Sequence, residues 1–337
     1  MTRREITVVW PHPPDPTGGP GTFQQHVIDN GPDFGIRTID GLHELPDVVL
    51  VTAGTRRLLW LWRLRRRGVR VVQRLDGVHW REFLQPIGLK AKMRAYLSRA
   101  DVAIIRRHLA DYIVYQSEFV REHWNRRFGE VSVPHSVVLN GTNLDAFKPS
   151  ATTSPQKPVL LSVEGDIQPS TWVVEIITEI VTTLVPDVLS KVVLVGDPSD
   201  PDRTRLEAVD GVEIRGTVPR ATMPDIYRTA DLFLNLEVHP PCPNSVVEAL
   251  ASGLPVAAFD TGSARELVGE EAGVLVPYGT DAWKLEKPDI GSMIGAIRHM
   301  AAQRVSMSKK ARERARSLLS LSRMLTGYRE ALDESLR

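Results

Sequence analysis

The chain has 337 residues, more than one hydrophobic core usually holds, so two domains are expected. Its 42% hydrophobic and 25% charged residues are ordinary globular values, and no apolar run approaches a membrane span, which excludes a disordered or membrane-embedded chain. The net charge of +1 hides an asymmetry: residues 1–150 carry 22 Lys and Arg against 15 Asp and Glu, an excess of +7, and the remainder carries 20 against 26, or −6. The first half is therefore the one expected to meet something anionic. The single Cys242 rules out an internal disulfide and a cysteine metal cluster, and it fits a reducing cytosol. His239 and Cys242 have a metal-like spacing but no second pair, so no metal is expected. Met1 to Glu5 lead straight into a strand, which predicts no signal peptide and a cytoplasmic chain.

Glu5 to Trp10 reads as the opening strand. It runs into Pro11-His12-Pro13-Pro14-Asp15-Pro16-Thr17-Gly18-Gly19-Pro20-Gly21-Thr22, with Thr22 as a cap for a helix through Gln25, Val27 and Ile28. A glycine-rich loop between strand and helix lets backbone approach a phosphate or sugar, which makes Gly19 and Gly21 candidates for such contact. The loop lacks the Gly-Lys-Ser/Thr of a P-loop and the third glycine of a dinucleotide fingerprint. Strands are expected at 36–39 and 48–52. Arg56 to Arg70 is then a helix ended by Gly68, and it has two readings. In one, Leu58, Leu59 and Trp62 cover the sheet while the arginines are solvated. In the other, the arginines and an exposed tryptophan hold the domain against an anionic bilayer.

Val69 to Leu75 is the next strand, and Asp76-Gly77-Val78-His79-Trp80 follows its carboxyl end, where parallel sheets bind ligands. Asp76 is either a ligand-contacting carboxylate or half of a common Asp-Gly turn. His79 and Arg74 are secondary candidates for acceptor contact. A long basic helix is expected at 89–109, a strand at 112–116, a helix at 118–128 capped by Ser117, and a strand at 137–139. The polar, proline-containing stretch Pro149 to Lys157 is the linker, giving domains at 1–150 and 151–320.

The second half alternates in the same way, with strands at 159–163, 192–195 and 212–214 and helices at 203–208 and 223–229. It is organised around residues 230–268. Leu232 to Leu236 is apolar at nearly every position, as a strand buried on both faces should be. Prolines 240, 241 and 243 prevent an early helix, and Asn244 and Ser245 are good N-caps for a helix over 244–252. That helix start attracts anions, phosphates above all, and Glu248 lies close to it. Gly253 closes the helix, 254–259 returns as a strand, and Asp260-Thr261-Gly262-Ser263 turns into another helix.

Glu248-Ala249-Leu250-Ala251-Ser252-Gly253-Leu254-Pro255-Val256 and Gly262 to Glu266 resemble the signature of glycosyltransferase family 4. Its members are retaining enzymes of the GT-B fold that use nucleotide-activated sugars. The words Tyr115-Gln116-Ser117-Glu118-Phe119-Val120 and Val138 to Pro149 resemble the end of the family's first domain. The resemblance implies an α/β GT-B fold: two Rossmann-like domains with parallel sheets facing across a cleft, and a last helix, 321–337, crossing back to the first domain. It implies transfer of a sugar from a nucleoside diphosphate sugar, with a UDP or a GDP donor equally compatible, to a saccharide or lipid-linked acceptor, without cofactor, metal or nucleic acid.

On that resemblance Glu248 binds the donor ribose, and the amides at Asn244, Ser245 and Val246 bind the diphosphate. Val218 touches the base, Gly165 lies beside the diphosphate, and Gly19 and Gly21 meet phosphate or acceptor. Asp76 stands where relatives carry a His beside the donor sugar. The chain departs from the family at Pro240, which replaces a sugar-binding Glu and leaves Glu237 and His239 as possible sugar contacts. It departs again at Asp166, which replaces an Arg, and lacks the Lys that follows. Two rivals share the fold: an epimerase or phosphorylase, and a binding module in which these departures have abolished transfer.

Overall fold

A computed structural model describes every residue except 1–3, 15–17, 42, 79, 81–83, 85–98, 151–156, 166 and 168–171. The chain forms two compact units: residues 1–140 with 321–337, and residues 141–320. The boundary falls earlier than the proline-containing stretch at 149–157 implied, and residues 141–150 pack with the second unit. Arg312 on a long helix accounts for this, since its guanidinium donates to the carbonyls of Leu144 and Phe147, both at 2.8 Å.

Unit 1 is built from β1 (Ile6–Val9), α1 (Gly18–Asn30), β2 (Ile36–Thr38), β3 (Val48–Thr52), α2 (Leu58–Arg65), β4 (Arg70–Leu75), β5 (Tyr112–Tyr115), α3 (Glu118–Phe128) and β6 (His135–Val137). The six strands are parallel, in the order β2-β1-β3-β4-β5-β6. Ser117 caps α3 as expected, its Oγ accepting from Val120 N at 3.2 Å. Of the long basic helix expected at 89–109, residues 89–98 lie outside the described set; the rest is helical and ends in a π turn at Ile105–Leu109.

Two expectations are corrected in this unit. The glycine-rich segment is not a loop up to Thr22: α1 starts at Gly18, Gly21 is buried within it, and Thr22 Oγ1 donates to Gly18 O at 3.0 Å inside the helix. Burial of Phe23, Gln24 and Val27 outweighs the poor helix propensity of glycine, and Pro20 is harmless in a first turn whose amides have no partner. The second correction concerns α2, whose covering residues are Leu61 and Leu64 with half-buried Leu58, while Leu59 and Trp62 are exposed.

Unit 2 contains β7 (Val159–Val163), α4 (Val173–Leu184), β8 (Lys191–Val195), α5 (Asp200–Glu207), β9 (Val212–Gly216), α6 (Met223–Arg228), β10 (Leu232–Asn235), α7 (Asn244–Ala251), β11 (Val256–Phe259), α8 (Ala264–Val268), β12 (Gly273–Val276) and α9 (Ile290–Leu318). Its sheet is also six-stranded and parallel, in the order β12-β11-β10-β7-β8-β9. The apolar face of α4 is buried along its whole length, from Val173 to Leu184.

The last helix, α10 (Leu321–Ser335), belongs to unit 1. Its Met324, Leu325, Tyr328 and Leu332 share one core cluster with Val8, Phe23 and Val114. Arg329 fixes it by donating to Gly35 O at 2.6 Å and Arg4 O at 2.7 Å. Among the described residues no helix is long and apolar enough to cross a membrane.

Candidate functional site

In unit 2 the strand order changes direction between β7 and β10. Parallel sheets take ligands beyond the carboxyl ends of the strands at such a point, because the loops leaving the two neighbours diverge. Glu164 follows β7 and Leu236 follows β10; Leu236 N donates to Glu164 Oε1 at 2.9 Å across that point. Glu164 is buried, and its own carbonyl is packed so closely by Gly196 that a Cβ there would sit 2.4 Å away. Gly165, exposed, turns the backbone away just beyond it.

The helix α7 begins in the same region. Its N-cap is Pro243, in extended conformation, and Asn244 is the first helical residue, which corrects the capping expected of Asn244 and Ser245. The amides of Asn244, Ser245 and Val246 are consequently the first of the helix and have no intrahelical acceptor, leaving partial positive charge for an anion. One turn on, Glu248 is 3% exposed, and Arg220 Nη2 donates to its Oε1 at 2.6 Å. Burial raises the Glu248 carboxyl above the ordinary carboxylate range, while the Arg220 charge and hydrogen bond, and then Tyr227, pull it back. Tyr227 Oη donates to Ser245 O at 3.1 Å. Burial, reinforced by the Glu248 charge, pushes the Tyr227 phenol well above its usual value, so it stays a neutral donor. Val218 is half-buried in the turn after β9 that also carries Arg220. The pair Arg220 and Glu248 thus ties the turn after β9 to the helix.

The loop between β10 and α7 is braced. His239 has a positive φ of 52°, its ring stacks on Trp283 with centroids 3.7 Å apart, and its amide donates to Thr261 Oγ1 at 3.1 Å. Pro240 is buried, and its carbonyl accepts from Ser263 N at 2.9 Å. Gly262 makes this possible: its φ is +60°, and a Cβ would lie 2.5 Å from Pro240 N. Glu237, half-buried at the start of the loop, is the carboxylate nearest in sequence to the vacated Glu position.

Unit 1 changes strand direction between β1 and β3. His12 follows β1 and Thr55 follows β3, and His12 Nε2 lies 2.9 Å from Thr55 Oγ1. Burial, and then Arg57, lower the His12 imidazole below its ordinary value, so the ring is neutral at pH 7. A pocket of about 350 Å³ opens there, lined among others by His12, Thr55, Arg56, Asp76, Arg99 and Trp124. Trp124 Nε1 donates to Asp76 O at 2.8 Å and fixes the backbone of that residue.

Arg74, expected as an acceptor contact, is corrected: it is fully buried, its guanidinium lies 4.2 Å from the centre of the Phe23 ring, and its Nη2 donates to Asn140 Oδ1 at 3.1 Å. A side chain closed off in this way supports the sheet and touches no ligand. Gly19 and Gly21 lie in α1 rather than in a loop. His79 and Asp166 fall outside the described residues.

Sequence reasoning missed Glu164, Arg220, Tyr227, His12 and Thr55. His12 and Glu164 carried a usable signal, a polar residue directly past a strand's carboxyl end. Arg220 and Tyr227 carried none, because their partners are 28 and 18 residues away in sequence.

Residues 163–287 match the family described as Glycosyl transferases group 1. A GDP-mannose-dependent alpha-mannosyltransferase of Mycobacterium tuberculosis is 30% identical over 191 residues, 54% of this chain and 46% of that protein. The chain therefore spans about half the length of the curated relative it matches. Among solved structures, sucrose-phosphate synthase from Thermosynechococcus elongatus aligns with a TM-score of 0.74 at 16% identity, over 98% of this chain and 99% of that one. Anabaena HepE in complex with UDP-glucose aligns with a TM-score of 0.68 at 15% identity, over 98% and 100%. At such identities the solved structures establish the fold alone, whereas the family match falls on the residues that carry α7 and Glu248. Residues 163–287 of unit 2 are thus similar to group 1 glycosyltransferases, in a chain of GT-B fold.

Proposed function

We propose that the chain is a retaining glycosyltransferase that moves a sugar from a nucleoside diphosphate sugar to an acceptor hydroxyl in glycan, glycolipid or glycoconjugate synthesis on the cytoplasmic side of a membrane. The observation that carries the reading is the coincidence, within the matched residues 163–287, of a helix N-terminus and the buried carboxylate of Glu248 at the point where the strand order of unit 2 reverses.

The chemistry divides among named groups. The amides at the start of α7, Asn244 to Val246, hold the diphosphate and take up the charge that grows as it leaves. The Glu248 carboxylate accepts the ribose hydroxyls, held in orientation by Arg220. Val218 lies against the base. The leaving phosphate takes the acceptor proton, so no separate base is required of the chain. Helix dipole and amides replace the Arg and Lys that relatives place near the diphosphate. In unit 1 the pocket at His12, Thr55 and Asp76 is the acceptor's, with neutral His12 as a hydrogen-bonding partner of a hydroxyl.

The test is a calorimetric titration of the purified chain with GDP, UDP and ADP, followed by sugar release assays. GDP-mannose is the first donor to try, given the mannosyltransferase relative, and UDP-glucose the second, given the HepE complex. Micromolar binding of one diphosphate, about −8 kcal/mol, that weakens in Glu248→Gln supports the reading. Failure of all three to bind overturns it.

A further inference from the structure

The basic helix α2 is the feature that the transferase reading leaves unused. From Val48 to Leu75 the chain holds eight arginines and no acidic residue. Arg65 and Arg70 are drawn to Asp111, at 2.9 and 3.8 Å. Arg56, Arg57, Arg63, Arg66 and Arg67 are exposed and pair with no carboxylate among the described residues.

The apolar residues of α2 split by face. Leu61 and Leu64 are buried against the sheet, while Leu59 is 70% and Trp62 46% exposed. Leu59, Trp62, Arg63 and Arg66 follow the i, i+3, i+4, i+7 spacing of a single helix face. The Arg66 guanidinium lies over the Trp62 ring, 5.1 Å from its centre. Beside this face is a recess of about 560 Å³ flanked by Trp62, Arg65, Arg66, Arg70, Asp111 and Leu336. Two large apolar side chains held in water amid five unneutralised cations cost solvation and help nothing inside unit 1.

We propose that this face of α2 is the docking surface of the chain on an anionic lipid bilayer. Trp62 and Leu59 enter the headgroup boundary, and Arg63, Arg66 and Arg67 meet lipid phosphates. Tryptophan at the interface, an aliphatic residue below it and an arginine collar are complementary to that surface in both polarity and charge. A second copy of the chain does not suit the face, because a two-fold contact sets the arginines of one copy against those of the other. The proposal rests on unit 1 alone and is independent of nucleotide binding in unit 2.

The experiment is sedimentation of the full chain with large vesicles, either of phosphatidylcholine alone or of phosphatidylcholine with equimolar phosphatidylglycerol, at low and high salt. The surface variants Leu59→Ser/Trp62→Ser and Arg63→Glu/Arg66→Glu are run beside it. Expected are binding to the anionic vesicles only, weakening with salt, and at least about a tenfold loss of partitioning in each double variant. Circular dichroism confirms that both variants fold, and diphosphate binding by unit 2 stays unchanged in them. Absence of binding to anionic vesicles overturns the proposal, as does equal binding by the variants. So does self-association abolished by the same substitutions, or a gel shift with polyanionic nucleic acid that competes vesicles away.

Discussion

The two units share an architecture and differ in the sign of what they bury. Each is a six-stranded parallel sheet whose order changes direction once, and each has a side-chain hydrogen bond spanning that point: His12 to Thr55 in unit 1 and Leu236 N to Glu164 in unit 2. Unit 1 buries arginines. Arg74 and Arg106 are almost completely enclosed, with amides, carbonyls and aromatic rings as partners. Unit 2 buries the carboxylates Glu164 and Glu248. The buried cations cross-link strands to helices, whereas Glu248 lies beside the start of α7 and holds Arg220, so buried charge is a fastening in one half and, on the proposed reading, a nucleotide-binding group in the other.

Four measurements break or sharpen this contrast. The largest effect is expected at Arg106, whose guanidinium reaches Gly129 O at 2.9 Å, Tyr115 Oη at 3.2 Å and Asn125 Oδ1 at 2.5 Å. Arg106→Met strands those partners and should destabilise unit 1 by about 2–4 kcal/mol, read as a lowered midpoint in denaturant. Were the midpoint unmoved, the fastening role of buried arginine would be lost.

Glu248→Gln should do the opposite, costing nucleotide affinity about 30-fold, or 2 kcal/mol, and little stability. A carboxyl whose folded pKa is raised supports stability below its unfolded pKa and loses that support as pH rises through the folded value. Ionisation of Glu248 therefore weakens folding as pH rises through its folded value, and amide replacement removes that dependence. Because binding needs the ionised form, the wild-type affinity should fall as pH drops toward that raised pKa, and the Gln variant should lose this dependence.

His123 tests unit 1 by pH. Burial, then Arg126, Arg127 and Arg99, lower its pKa from 6.5 to about 4. Below pH 6.5 the unfolded state binds the proton that the folded state refuses, so stability should decline as pH falls from 6.5 toward 4. Allowing for partial exposure, the loss is about 1–2 kcal/mol, and it should be missing in His123→Gln when unfolding is followed across that range.

The smallest effect is at Thr55. Thr55→Val removes the partner of His12 and should lower stability by about 1 kcal/mol or less. Diphosphate titration should be unchanged, while the acceptor KM rises. A change in diphosphate affinity would mean that the pocket of unit 1 is not separable from the donor site.

Much of the site was legible before any tertiary structure. The apolar strand at 232–235, the prolines that delay a helix, and Glu248 behind Asn244 and Ser245 are local patterns, and they lie where they were expected, one residue of capping apart. What local pattern could not give was orientation. Glycine and proline at 18–21 spell a loop to any propensity scale, yet the burial of Phe23 and Val27 makes a helix there. Arg74, at a strand's carboxyl end, has the sequence position of a ligand contact and the burial of a core residue.

The sequence by itself determined the alternation of strands and helices, the two-unit division and the anion-attracting start of α7, because periodicity, caps and breakers act within a few residues. The tertiary structure alone decided that Arg220 holds Glu248, that His12 meets Thr55, and that α2 turns Leu61 and Leu64 inward and Leu59 and Trp62 outward. Those outcomes depend on which surfaces of distant segments exclude water together, and that energy is a property of the packed chain, not of any stretch within it.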